Sequence, residues 1–168
     1  EISACLVGSE MCIRDSGWGD VLVIVFFGFV PVGGTYYVQA LTWTPDVTIA
    51  SLICGLLIDT LLVVNNYRDR EADARSGKRT VIVRFGEKFG RYFYLMLGIT
   101  ASLLCLCFLR EGHFYAAFLP QLYLIPHFLT WKRMVKIYSG KKLNSILGET
   151  SRNMLLMGIL IAIGMLIN

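Results

Sequence analysis

The stretch VTIASLICGLLIDTLLVVNN, residues 47–66, decides the fold of this chain. Its twenty residues include a single charged one, Asp59, and a helix of about 20 apolar residues crosses the roughly 30 Å hydrocarbon core of a bilayer. The rest of the chain is similarly apolar, since 55% of the 168 residues are hydrophobic and the mean hydropathy is +0.60. We therefore expect an all-α integral membrane protein whose surface contacts the lipid bilayer.

The same length criterion finds four further spans around this one. They cover residues 21–43, 92–109, 114–131 and 153–167, the last of which is short and should begin near Leu147. In the first span, Pro31 stands among three glycines, which predicts either a broken helix that lines a cavity or close packing of two helices. The chain is therefore predicted to be a multispan transmembrane helical bundle with five spans.

Two connections between the spans are rich in bases. Residues 68–91 contain eight bases and four acids, whereas residues 132–147 contain five bases and no acid. Short basic loops stay in the cytoplasm, and two spans separate these loops, so both emerge on one face. We expect loops 68–91 and 132–147 to be cytoplasmic and Asn168 to lie outside.

The net charge of +4 does not indicate a nucleic-acid partner. The bases are confined to two short stretches between apolar runs, whereas a nucleic-acid site needs a basic face. The five cysteines form no CxxC pair and have no His at ligand spacing. We expect neither nucleic-acid binding nor a disulfide framework or zinc site.

The first sixteen residues, EISACLVGSEMCIRDS, fit neither a helix nor a signal peptide, because they have no basic start and only a brief apolar run. They resemble translated sequencing-adapter sequence. We expect residues 1–16 to be non-native and the natural protein to be longer at its N-terminus.

A charged junction, NNYRDREADARSGKRT, follows the central span. A helix continued past Asn66 aligns Asn65, Asp69 and Asp73 on one face, where the two carboxylates repel each other unless a cation or bases answer them. Oxygen ligands of this kind suit Mg²⁺ that is completed by water and phosphate. Four bases that could hold the phosphate lie between or follow these three residues: Arg68, Arg75, Lys78 and Arg79.

A solvated cytoplasmic turn that contacts anionic lipid headgroups is the alternative interpretation of this junction. Charge content alone favours that alternative. The regular spacing of the three oxygen-bearing side chains, followed four residues later by Gly-Lys-Arg-Thr, favours a metal and diphosphate site.

The junction resembles the second aspartate-rich motif, DxxxDxxxGxxT, of the UbiA-type intramembrane prenyltransferases. The matching residues are Asp69, Asp73, Gly77 and Thr80. The flanking NNxRD and VRFG, together with GTYYVQ at residues 34–39, are more similar to the 1,4-dihydroxy-2-naphthoate polyprenyltransferases of menaquinone biosynthesis than to other branches. The resemblance runs from about Gly17 to the C-terminus, so residues 17–168 are expected to be the C-terminal part of a transmembrane prenyltransferase domain with about nine helices.

The resemblance implies roles for six residues of the junction and for two tyrosines of the first span. Asp69 and Asp73 would be catalytic metal ligands assisted by Asn65, with Mg²⁺ as the cofactor and polyprenyl diphosphate as a substrate. Arg68, Lys78 and Arg79 would hold the diphosphate. Tyr36 and Tyr37 would contact the allylic cation or the aromatic acceptor, although packing is an equally open role for them. The resemblance also implies that the protein lies in the bacterial cytoplasmic (inner) membrane.

The family's first motif, NDxxDxxxD, does not occur in this chain. We therefore expect the chain by itself to be inactive and the natural protein to be active. Residues of the missing half would decide between dihydroxynaphthoate and another acceptor, such as 4-hydroxybenzoate. A non-enzymatic membrane bundle is the remaining hypothesis, and it predicts that Asp69 and Asp73 tolerate replacement by alanine.

Asp59 lies about two turns inside the central span. An unpaired carboxylate there costs roughly 2.5–3.5 kcal/mol. A buried carboxylate in a span faces a cavity or a partner, and acceptor binding, proton relay and an interhelical hydrogen bond remain open as roles for Asp59.

Overall fold

The computed structural model describes residues 17–167. The structure is 88% helical, and the described residues contain no strand, which confirms the all-α prediction. Five helical segments follow one another: α1 (Gly19–Ala40), α2 (Pro45–Arg75), α3 (Val81–Glu111), α4 (residues 114–137) and α5 (Leu143–Ile167). The segment 1–16, predicted to be non-native, lies outside the described residues.

Four helices of the described chain, α1, α2, α3 and α5, are long and apolar enough to cross a membrane. The fourth predicted span, residues 114–131, is helical but falls outside this group, because Pro120, Gln121 and His127 interrupt its apolar sequence. It changes from α-helix at Phe114–Phe118 to 3-10 helix at Leu119–Tyr123 and back to α-helix at Leu124–Ile137. The structure therefore contains four strong candidate spans and one weaker helical segment.

Helix α1 is irregular around Pro31 and the glycines near it. Residues Ile24–Gly33 form a π-helix that contains Pro31. A methyl group at Gly28 would collide with the carbonyl oxygen of Ser51, and one at Gly55 would lie 2.9 Å from the Cα atom of Ile24. Both alternatives from the sequence are therefore present, since the helix departs from α geometry and also packs closely on α2.

Helix α2 continues well past the apolar run. Thr44 caps its first turn by accepting a 3.4 Å hydrogen bond from the Val47 amide, and the helix ends at Arg75. The next residues make a turn in which Gly77 has φ of +78°. Two and a half turns of helix thus project beyond Asn66 and carry the charged junction.

Polar side chains join α5 to the neighbouring helices. Asn153 donates a 2.9 Å hydrogen bond to the Thr130 hydroxyl in α4, and the hydroxyls of Tyr94 and Thr150 are 3.0 Å apart between α3 and α5. Such bonds and close packing hold helices together in lipid, where apolar burial gives little driving force. The two bonds fasten the first half of α5 to α3 and α4.

Candidate functional site

The last turns of α2 carry the three oxygen-bearing residues on one continuous helix, as the spacing required. Asn65 is half-buried, the Asp69 side chain is 44% exposed and the Asp73 side chain is 9% exposed. The row therefore runs from a partly open position at Asp69 to a nearly buried one at Asp73.

Arg68 binds Asp69 through two parallel hydrogen bonds. Its Nε donates to Oδ1 over 2.7 Å and its Nη2 donates to Oδ2 over 2.6 Å, the bidentate geometry that makes arginine–carboxylate pairs strong. The remaining Nη1 donates to Oδ1 of Asn144 over 3.0 Å. Because Asn144 lies in the first turn of α5, this arginine links the site to a helix far along the chain.

Asp73 pairs with Lys78. The Lys78 ammonium lies 3.0 Å from Oδ1 of Asp73, and the Lys78 amide donates a 3.0 Å hydrogen bond to the Asp73 carbonyl. The turn at Gly77 folds the lysine back over the helix end, where its charge also acts on Asp69. Each carboxylate thus has a base beside it, which offsets the repulsion between the two acids.

Arg79 and Arg75 are exposed at the same end of the helix. Together with Arg68 and Lys78 they make this end of α2 a concentrated patch of donors for an anion. Asn144 completes the polar set, and sequence reasoning missed it because it lies 76 residues from Arg68.

A second charged cluster lies beside the site and serves to fasten helices. The Arg91 Nε donates a 2.9 Å hydrogen bond to the buried Tyr67 hydroxyl, and Glu87 lies 3.5 Å from Arg91 and 3.7 Å from Arg70. Both guanidinium groups lie over the Tyr138 ring at 5.1–5.2 Å. A hydrogen bond to Glu87 raises the pKa of the Tyr138 hydroxyl. These contacts join α2 and α3 to the turn that follows α4.

Tyr36 and Tyr37 lie at the other end of the molecule. Tyr36 lines a cavity of about 680 Å³ together with Asp46, and Asp46 precedes Asp69 by 23 residues of continuous helix, or about 35 Å at 1.5 Å per residue. Tyr37 is 52% exposed nearby. The structure does not bring either tyrosine together with Asp69, Asp73 or the bases beside them.

An apolar groove lies between these two ends. The Tyr36 cavity shares Val32, Ala50 and Phe108 with a second cavity of about 340 Å³. The second cavity reaches Ile58 on α2, and Asn65 lies two helical turns further on the same face. The groove therefore follows the side of α2 whose continuation bears Asn65 and Asp69.

The oxygen donors at the end of α2 are few for a metal site. Residues 17–167 contain no group of three or more His, Cys, Asp or Glu side chains arranged to hold a metal. Mg²⁺ bound with substrate phosphate needs only one or two carboxylates besides its waters. Asp69 and Asp73, with the amide of Asn65, fit that smaller requirement.

The fold and the site together define an integral membrane helical bundle in which a charged, oxygen-rich helix end adjoins an apolar groove. The chain belongs to the UbiA prenyltransferase family, whose family model matches residues 11–166.

Relatives with curated names agree with this membership. The chain is 36% identical over 155 residues to the 1,4-dihydroxy-2-naphthoate octaprenyltransferase of Haemophilus influenzae, a match that covers 90% of the chain and 49% of the relative. It is 42% identical over 90 residues to the enzyme of that name from Escherichia coli, covering 54% of the chain and 29% of the relative. The chain thus spans about half or less of the curated relatives it matches. No solved structure matches it.

Proposed function

We propose that the whole protein transfers a polyprenyl group from polyprenyl diphosphate to an aromatic acceptor, 1,4-dihydroxy-2-naphthoate, in menaquinone biosynthesis. Family membership supports the reaction class, and the names of the Haemophilus and Escherichia relatives support the acceptor. The observation that carries the proposal is the pairing of Asp69 with Arg68 and of Asp73 with Lys78 at the end of a spanning helix. Such an end offers both metal ligands and phosphate donors.

Six residues of the junction have proposed roles. Asp69 and Asp73 hold Mg²⁺ with the help of Asn65, and the bound ion would supply charge neutralisation for the departing diphosphate. Arg68, Lys78 and Arg79 bind the diphosphate oxygens. Arg68 is held in place by Asn144, so its guanidinium is oriented before the substrate arrives, which lowers the entropy cost of binding.

The groove along α2 is the proposed site of the prenyl chain. Its lining is largely apolar, from Ile58 to Tyr36, and it begins on the face that carries Asn65. Tyr36 and Tyr37 were expected to contact the reacting end of the substrate, but Tyr36 shares its cavity with Asp46, which lies about 35 Å along α2 from Asp69. We therefore propose contact with the distal part of the chain instead.

The protein is an integral membrane protein, and we propose the bacterial cytoplasmic (inner) membrane with loops 68–91 and 132–147 in the cytoplasm. Two contacts support a common face for these loops: Arg68 binds Asn144, and Arg70 lies over the Tyr138 ring. Lys and Arg in short loops favour the cytoplasmic side. A diphosphate substrate made in the cytoplasm would reach Lys78 from that side.

A prenyl-transfer assay of the whole protein tests the proposal. Activity is measured with and without Mg²⁺, using dihydroxynaphthoate and 4-hydroxybenzoate as parallel acceptors. We expect Mg²⁺-dependent transfer to dihydroxynaphthoate. Transfer to hydroxybenzoate alone would retain the reaction class and change the acceptor, whereas unchanged function in both Asp69→Ala and Asp73→Ala would favour a non-enzymatic membrane bundle.

A further inference from the structure

Asp59 is a buried carboxylate outside the site described above. It is 0% exposed, and neither of its oxygens accepts a hydrogen bond from any donor within residues 17–167. It precedes Asp69 by ten residues, or about 15 Å of helix, and points about 120° around α2 from Asn65. The groove and the diphosphate site therefore do not account for it.

Asp20, in the first turn of α1, faces Asp59 from the neighbouring helix. The two carboxyl groups lie close enough for one to donate a hydrogen bond to the other when one of them carries a proton. Asp20 is 8% exposed, and its Oδ1 also lacks a donor in the described part of the chain. Three of the four carboxylate oxygens thus lack a donor, although nearly all buried polar groups in folded proteins have one.

Two carboxylates in such contact cannot both stay ionised in a low-dielectric interior unless a cation accompanies them. Within residues 17–167, neither side chain takes part in an ion pair with a base. Arg84 of α3 approaches this end of α1, where a Cβ atom on Gly17 would lie 3.4 Å from its Nη1. Its guanidinium is thus beside Gly17 and does not pair with the two acids.

A small cavity of about 50 Å³ adjoins Asp20. Asp20 lines it together with Asn66 and Thr80, which add an amide and a hydroxyl to the oxygen atoms available there. Such a volume has room for one water molecule or one small ion. Thr80 begins α3 next to the charged turn, so the cavity lies near the end of the bundle that carries the bases.

We propose that Asp20 and Asp59 form a binding site for one monovalent cation, a proton or a sodium ion, between α1 and α2. The cation joins two carboxylates that would otherwise repel each other, and so it stabilises the crossing of the first two spans. Ionisable residues inside membrane segments commonly bind protons or ions in this way. The site is independent of the proposed prenyl transfer, because neither carboxylate belongs to the diphosphate site.

The whole protein in lipid nanodiscs provides the test. Asp59→Asn and Asp20→Asn each replace one carboxylate with an amide of the same shape, which can donate a hydrogen bond to the acid that remains and should preserve folding. Glu71→Gln, at an acid of α2 whose side chain is 70% exposed, is the matched control. Infrared difference spectra detect a protonated carboxyl group at neutral pH, and thermal unfolding in sodium chloride is compared with choline chloride at equal ionic strength.

For a bound proton, the wild type shows a protonated-carboxyl band that both Asp20→Asn and Asp59→Asn lose. For bound sodium, the unfolding midpoint of the wild type rises by about 3–5 °C for each tenfold increase in sodium above its Kd, and both variants lose this response. Glu71→Gln behaves as the wild type in either case. Absence of both signals in the wild type, or their persistence in both variants, overturns the proposal.

Discussion

Replacing Asp73 with asparagine tests whether the end of α2 acts in catalysis or only in folding. The Asp73 side chain is 9% exposed and its partner Lys78 is 31% exposed. Since the lysine remains solvated when the pair is broken, we expect a loss of only about 1 kcal/mol in the free energy of unfolding. A group that helps to stabilise the negative charge developing in the transition state has a much larger effect on the rate, so we expect kcat to fall by about 10²–10³.

The assay measures initial rates of prenyl transfer by the whole protein as a function of Mg²⁺, alongside thermal unfolding. Glu71→Gln is the matched control, because Glu71 is an acid in the same helix end whose side chain is 70% exposed and lies 4.0 Å from Arg70. This control should keep its activity. An Asp73→Asn enzyme within about threefold of wild-type activity, with unchanged Mg²⁺ dependence, would refute the role in catalysis.

Three further substitutions follow from the packing. Gly98→Ala places a methyl group against the His127 ring and should lower the free energy of unfolding by about 1–3 kcal/mol. In the control Gly148→Ala, the new methyl group meets nothing within 4 Å, so this variant should not be destabilised. Equal unfolding midpoints for the two variants would contradict this prediction. Gly77→Ala forces an alanine to φ of +78°, costing about 1–2 kcal/mol, and should raise KM for the diphosphate substrate in steady-state assays. Thr80→Ala removes the cap that accepts from the Val83 amide and should lower the free energy of unfolding by about 1 kcal/mol, measured by denaturant titration.

Several features of the site could not be read from the sequence because they depend on which helices are neighbours. Asn144 is an ordinary polar residue near a helix start until α5 packs beside α2 and brings it to Arg68. Arg70 and Arg91 look like loop charges, yet both lie over the Tyr138 ring. The motif around Tyr36 likewise gave no sign that this residue shares a cavity with Asp46, at the far end of α2 from Asp69.

The membrane class and the row of Asn65, Asp69 and Asp73 were determined by the sequence alone. Both depend on local sequence patterns. A helix in lipid satisfies its backbone hydrogen bonds within its own segment, so length and hydropathy suffice to identify it. The spacing of residues along one helix shows which of them share a face. The tertiary structure decided the partners. In the sequence, Asp59 is a lone acid in a span, and only the packing of α1 on α2 brings Asp20 beside it. Contacts between distant segments depend on how two helix surfaces fit together, which the sequence of one helix alone does not show.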